Sequence, residues 1–148
     1  MSSEGLISNE LNTGLVIAGA YASKVRRSLF AQLGSFVRNN KNASKEIARA
    51  SAELNWVLYR AIVESLKADK GDAVRVRIKY TYDPAQNKLE WDYDSLRVEL
   101  FRRVPDGEVE EKVRETVKRD AEEAKRRFSG AQPAESREVS EWEGEEEE

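Results

Sequence analysis

Trp56, Tyr59 and Arg60 lie within about one helical turn in the run NWVLYRAIVESL, and Phe30 follows Arg26 and Arg27 by one turn and precedes Arg38 by two. Large rings bordered by guanidinium groups suit an unpaired nucleic acid. Every base offers a flat face for stacking, while Arg and Lys neutralise the phosphates between bases. A third set, Arg75, Arg77 and Lys79, recurs at every second residue of AVRVRIKYTYD, a spacing that suits a row of phosphates. An ordinary structural reading stands beside each. Trp56 and Tyr59 could be covered by a sheet or by another helix, and the three strand cations could be the solvated outside of a half-buried sheet.

Composition removes much other chemistry. The 148 residues include no Cys and no His, which excludes disulfides, thiolate zinc sites, Ser-His or Cys-His nucleophile pairs and imidazole acid-base groups. Neither GxGxxG nor GxxxxGK[ST] occurs, so nucleotide-cofactor binding has no sequence support, and no cofactor is expected. Asp83, Asp92 and Asp94 invite a carboxylate-metal nuclease reading, but Asp is favoured at strand ends and in turns, and Asp83-Pro84 is turn chemistry. The expectation is a binding protein without catalytic or metal-ligating residues.

Three kinds of element must position these side chains. Glu10 to Asn39 reads as helix, broken near Gly19, with Val25, Leu29, Leu33 and Phe36 on its apolar stripe. Ser44 is a candidate N-cap for a second helix to Leu66, whose apolar face holds Ile47, Ala50, Leu54, Val57, Leu58, Ala61 and Leu66. Trp56 lies about 200° from Leu54 at roughly 100° per residue, so this helix has apolar surface on two sides. The period then falls to two: Val74, Val76, Ile78, Tyr80 and Tyr82 point one way and Arg75, Arg77 and Lys79 the other. Pro84 to Asn87 is a turn, Leu89, Trp91 and Tyr93 continue the aromatic side, and Leu96, Val98 and Leu100 form a third run, giving a three-stranded meander. Trp91, Tyr80 and Tyr82 share a face with Val and Ile and are expected in the core. Asp106 opens a last helix to Phe128 with a thin stripe of Val109, Val113, Val117, Ala121, Ala124 and Phe128. The fold class expected is α+β: N-terminal helices on a small antiparallel β-meander, followed by a C-terminal helix.

Charge is divided along the chain. Residues 1 to 104 carry 17 Lys and Arg against 12 Asp and Glu, a net of +5, and residues 105 to 148 carry 8 against 16, a net of -8. The expected organisation is one binding domain over residues 1–130 and a disordered acidic tail over 131–148. High charge with few oxidisable residues fits a protein of a hot-living organism. Leu15 to Ala22 is too short to span a bilayer and no basic segment precedes it, so a cytoplasmic protein without a membrane partner is expected.

Taken in order, the helical N-terminal half, the NWVLYRAIVESL helix, the VRVRIKYTYD and LEWDYD strands and the charged last helix resemble ThermoDBP, the single-stranded DNA-binding proteins of thermophilic archaea that replace the usual OB-fold protein. The resemblance spans Leu6 to Phe128 and rests on these segments rather than on a short motif. It implies an apolar cleft whose floor takes bases and whose rim is basic. Carried over, the floor would be Phe30, Trp56 and Tyr59, and the rim Arg26, Arg27, Arg38, Arg60, Arg75, Arg77 and Lys79. Single-stranded DNA is then the expected partner, with RNA loops also accepted because stacking does not read the sugar. The family's C-terminal leucine zipper has no counterpart here, since no Leu heptad follows Phe128, so a homodimer is expected only in a longer chain. An adaptor that docks a protein through the last helix and the acidic tail is the alternative from another class.

Overall fold

The computed structural model describes residues 5–130, so the expected acidic tail, 131–148, lies outside the described residues. The chain divides into two compact units, one ending at Arg103 and one beginning at Val104.

The first unit is built around one long strand. Strand β3 (Ala73–Asp83) pairs antiparallel along one edge with β1 (Ile7–Asn12) and then with the short β2 (Val16–Ile17), and along the other edge with β4 (Lys88–Phe101). Between β1 and β2 the chain jogs at Gly14, whose φ of +68° is a conformation that side chains with a Cβ rarely adopt. Thr13 covers the gap: its hydroxyl oxygen accepts from Val76 N at 3.0 Å while its own N–H donates to Val76 O. The expectation of helix from Glu10 fails here. ISNELN has no helical period, and its pairing depends on a strand some 70 residues away, which local pattern does not reveal.

The third run of the expected meander is the continuation of β4. Arg77 is opposite Arg97 and Lys79 opposite Asp92, so Tyr93 to Leu96 bulge against Ile78 alone. Ser95 closes the bulge, its hydroxyl accepting from Lys79 N at 2.8 Å and donating to Asp92 O at 2.7 Å. One bent strand therefore replaces two, and the third strand of the sheet comes from the N-terminus.

Helices α1 (Tyr21–Gln32), α2 (Gly34–Val37) and α3 (Lys41–Leu58) cover one face of this sheet. Val25 and Leu29 from α1, Leu33 at its junction with α2, and Ile47, Leu54 and Leu58 from α3 pack with Val74, Val76, Ile78, Tyr80, Tyr82 and Trp91, all buried. Each such aliphatic side chain contributes about 1.5–3 kcal/mol by leaving water. Trp91 Nε1 donates to Ala50 O at 2.9 Å and Phe36 packs edge-on to Tyr82, so Tyr80, Tyr82 and Trp91 belong to the core as expected, while Tyr93 is exposed. The N-cap of α3 is Asn40, whose side chain accepts from Ala43 N at 3.1 Å, four residues ahead of Ser44. After Leu58 the helix widens to π geometry over Tyr59–Ser65 and ends at Lys67, which has φ +55°. The α+β class is as expected: helices on an antiparallel sheet, with a C-terminal helix after it.

The second unit holds helix α4 (Asp106–Phe128). Asp106 and Glu108 in its first turn and Lys125, Arg126 and Arg127 in its last complement the helix dipole. None of its residues is buried, and Val109, Val113 and Val117 lie exposed at four-residue intervals. Among the described residues no helix is long and apolar enough to cross a membrane.

Candidate nucleic-acid interface

Leu54, Leu58 and Ile62 turn one side of α3 into the core, which forces the residues about 200° around to the outside. Trp56 is 65% exposed and Tyr59 48%, with Val63 open beside them. The Arg60 guanidinium lies 5.2 Å from the centroid of the Trp56 ring, and its Nε pairs with Glu64 at 3.3 Å. Such a pair contributes about 0.5–1 kcal/mol at an exposed site and holds the indole in one orientation. The π-helical widening begins at Tyr59 itself; such departures from α geometry recur at functional sites.

Helix α1 lies beside this face. Asn55 Nδ2 donates to Ala22 O at 3.2 Å, which joins the start of α1 to the later turns of α3. Arg26 and Arg27 are exposed, and Arg26 lies 5.2 Å from the Phe30 ring centroid. Phe30 itself packs partly against the core, so it presents less open surface than Trp56 does. Arg38 caps the end of α2 near the first turn of α3, about 24 Å along that helix from Trp56 at 1.5 Å per residue. The structure thus brings Phe30, Trp56, Tyr59, Arg26, Arg27 and Arg60 to one helical layer and sets Arg38 at its far end.

Arg75, Arg77 and Lys79 do not join them. A strand that buries Val74, Val76 and Ile78 beneath the helices must aim the alternate residues at the opposite face of the sheet. There Arg75 pairs with Glu99 at 2.8 Å and lies 6.0 Å from the Phe101 ring centroid, Lys79 is flanked across the sheet by Glu10 and Asp92, and Arg77 stands between Asn12 and Arg97. A single cleft with all seven cations on its rim is therefore not what this chain builds.

Sequence reasoning missed a stronger basic signal. Leu11 to Lys45 contains Lys24, Arg26, Arg27, Arg38, Lys41 and Lys45 and not one Asp or Glu, so every charge on α1, at the end of α2 and in the first turns of α3 up to Lys45 is positive. Counting charge in windows of this length would have found it. Also missed was a groove of about 510 Å³ walled partly by Tyr59 and Val63. The Asp83 and Asp92 carboxylates accept from Ala85 N and Asp94 N, as turn residues do, and no group of three or more acidic residues among the described ones could hold a metal ion.

The family model described as ThermoDBP-related, archaea, matches residues 11–88, more than half of the chain. The chain belongs to that ThermoDBP-related family. Its segment of the match carries Phe30, Trp56, Tyr59 and the acid-free run. Among solved structures, apeThermo-DBP-RP2 bound to the single-stranded DNA dT10 is 41% identical, over 83% of this chain and 54% of that one, with a TM-score of 0.68. This ThermoDBP-related chain therefore spans about half the length of that relative. The structure of pfuThermo-DBP-RP1 is 28% identical over 93% of this chain and 88% of that one, with a TM-score of 0.57. ThermoDBP, a single-stranded DNA binding protein, shares the fold at 17% identity and a TM-score of 0.50, over 66% of this chain and 87% of that one. No curated protein matches the chain.

Proposed function

We propose that this protein binds single-stranded DNA with little sequence preference, as a binding protein and not an enzyme, in the cytoplasm where an archaeal cell keeps its DNA. The observation that carries the reading is Trp56: an indole 65% exposed, with a guanidinium 5.2 Å over it, on the outside of a folded helix. A residue of that size left open adds little to folding, and its ring face offers a base about 1–3 kcal/mol of stacking. Tyr59 extends the platform, and Lys24, Arg26, Arg27, Arg38, Lys41 and Lys45 supply phosphate contacts across the helical layer. The dT10 bound to the 41% identical relative supports the same ligand class. Bases in a duplex are already stacked on one another, so unpaired strands are favoured, and RNA loops are accepted on the same grounds.

Oligo-dT added to the protein is expected to quench tryptophan emission, and a Trp56→Phe variant to lose most of that quench. Emission unchanged at saturating oligonucleotide would refute the stacking platform. The exposed Val109, Val113 and Val117 stripe of α4 supports a second reading, a docking surface for a partner helix, including a second copy in a longer chain. Oligo-dT binding that survives truncation after Phe128 favours the first reading; binding lost with the tail favours the second.

A further inference from the structure

The groove beside the platform has more polar character than stacking requires. Its volume of about 510 Å³ falls in the range of small-molecule sites, roughly 300–1,000 Å³, and is ample for one nucleobase. Tyr21, Tyr59, Ile62 and Val63 give it apolar walls, and Asp69 and Lys70 stand at its edge. Tyr59 and Val63 also belong to the exposed face of the helical run, so the groove opens directly from the surface that carries Trp56.

Tyr21 is the telling residue. Its side chain is only 8% exposed, yet its hydroxyl makes no hydrogen bond to any described residue. That oxygen is not among the sealed unpartnered atoms either, which are Ser51 Oγ and Asn55 Oδ1, so it retains access to the groove it lines. Burial, and secondarily the neighbouring Tyr59 phenol, pushes the Tyr21 pKa up, which keeps the hydroxyl protonated as a donor at neutral pH. An accessible hydroxyl with no partner among the described residues is a donor available to an acceptor on whatever enters the groove.

The edge is held firmly. Gly19 N donates to Lys70 O at 3.3 Å, Asp69 N donates to Asp72 Oδ2 at 2.9 Å, and Asp72 N donates to Asp69 O at 3.0 Å. These bonds engage the backbone of Asp69 and Lys70, and neither charged side chain has a partner among the described residues. A carboxylate accepts from the amino group of cytosine, adenine or guanine, and thymine has no such group to offer. An ammonium next to it answers the phosphate that accompanies the base.

Building on the proposed binding of single-stranded DNA, we infer that the groove is a base pocket: one nucleotide of a strand lying on the Trp56 face turns its base in between Tyr21 and Tyr59, with Lys70 toward its phosphate and Asp69 accepting from an exocyclic amino group. The pocket adds a preference at one position to a strand otherwise held without regard to sequence.

The test compares an all-dT strand with the same strand carrying one internal dC, by anisotropy, on the full chain and on Tyr21→Phe and Asp69→Asn. The Phe variant keeps the ring and loses only a hydroxyl that has no partner, so the fold is retained. The native chain is expected to bind the dC strand about tenfold more tightly, the effect of one charge-assisted hydrogen bond. Asp69→Asn, which removes the charge but keeps an accepting oxygen, and Tyr21→Phe are each expected to narrow that gap. Equal affinity of the native chain for the two strands overturns the pocket while leaving the stacking platform standing. A gap untouched by both substitutions also overturns it. Failure to bind either strand removes the underlying reading as well.

Discussion

Replacing Trp56 with Ala separates the cost to the fold from the cost to the ligand. The indole is 65% exposed, touches the Arg60 guanidinium and is not part of the core cluster, so unfolding free energy should fall by no more than about 0.5–1 kcal/mol. Binding should suffer far more. The loss of one stacking partner removes roughly 1–3 kcal/mol, which at about 1.4 kcal/mol per tenfold is a five- to 150-fold rise in Kd. Anisotropy of a labelled oligo-dT at fixed salt measures the cost to binding, and urea unfolding of the same samples the cost to the fold. A Kd within twofold of the native value, with the unfolding midpoint also unmoved, would show that the exposed ring is not where bases sit.

Electrostatics divides the two faces: affinity should fall with salt at a slope of about -0.7 per phosphate neutralised, and Arg27→Ala should shallow that slope, whereas Arg77→Gln with Lys79→Gln should leave it unchanged. Equal effects from both faces would contradict the placement on the helical layer. Stability should fall on acidification. Two backbone N–H groups, of Arg103 and Asp69, and then the Arg102 guanidinium hold the Asp72 carboxyl below the usual range. A carboxylate with a depressed folded pKa contributes stability that is present above its unfolded pKa, about 4, and is lost as pH falls through the folded value. Urea unfolding between pH 7 and pH 3 should show that loss, and Asp72→Asn should flatten it. Lys67→Gly should stabilise the fold by about 0.5–1 kcal/mol, because Lys67 sits at φ +55° just past the π-helical segment, where Leu66 N donates to Ala61 O and Ala68 N to Ile62 O. A lower unfolding midpoint would show that the lysine stem contributes more than the backbone strain removes.

Much of this was legible in the chain. The alternation of Val74, Val76, Ile78, Tyr80 and Tyr82 showed which side of β3 is buried, and the 200° offset of Trp56 from Leu54 put it on a second apolar side, whose exposure only the fold decides. Those two patterns together already require Arg75, Arg77 and Lys79 to face away from the helices, a consequence that a reading of each motif alone does not reach. What escaped was set by distance or by small geometry. Ile7 to Asn12 becomes a strand only because β3 offers an edge, and LRVEL continues β4 only because Ser95 absorbs the bulge through its hydroxyl. The Tyr21 groove depends on how α1 meets the π-helical segment, and no spacing in the sequence encodes that meeting.

Amide and indole chemical-shift mapping during an oligo-dT titration tests most directly which surface receives the strand. Shifts concentrated at Arg26, Arg27, Trp56, Tyr59 and Arg60, with Arg75, Arg77 and Lys79 unmoved, are expected. Shifts confined to the outer face of the sheet, with the Trp56 indole unmoved, would contradict the helical platform.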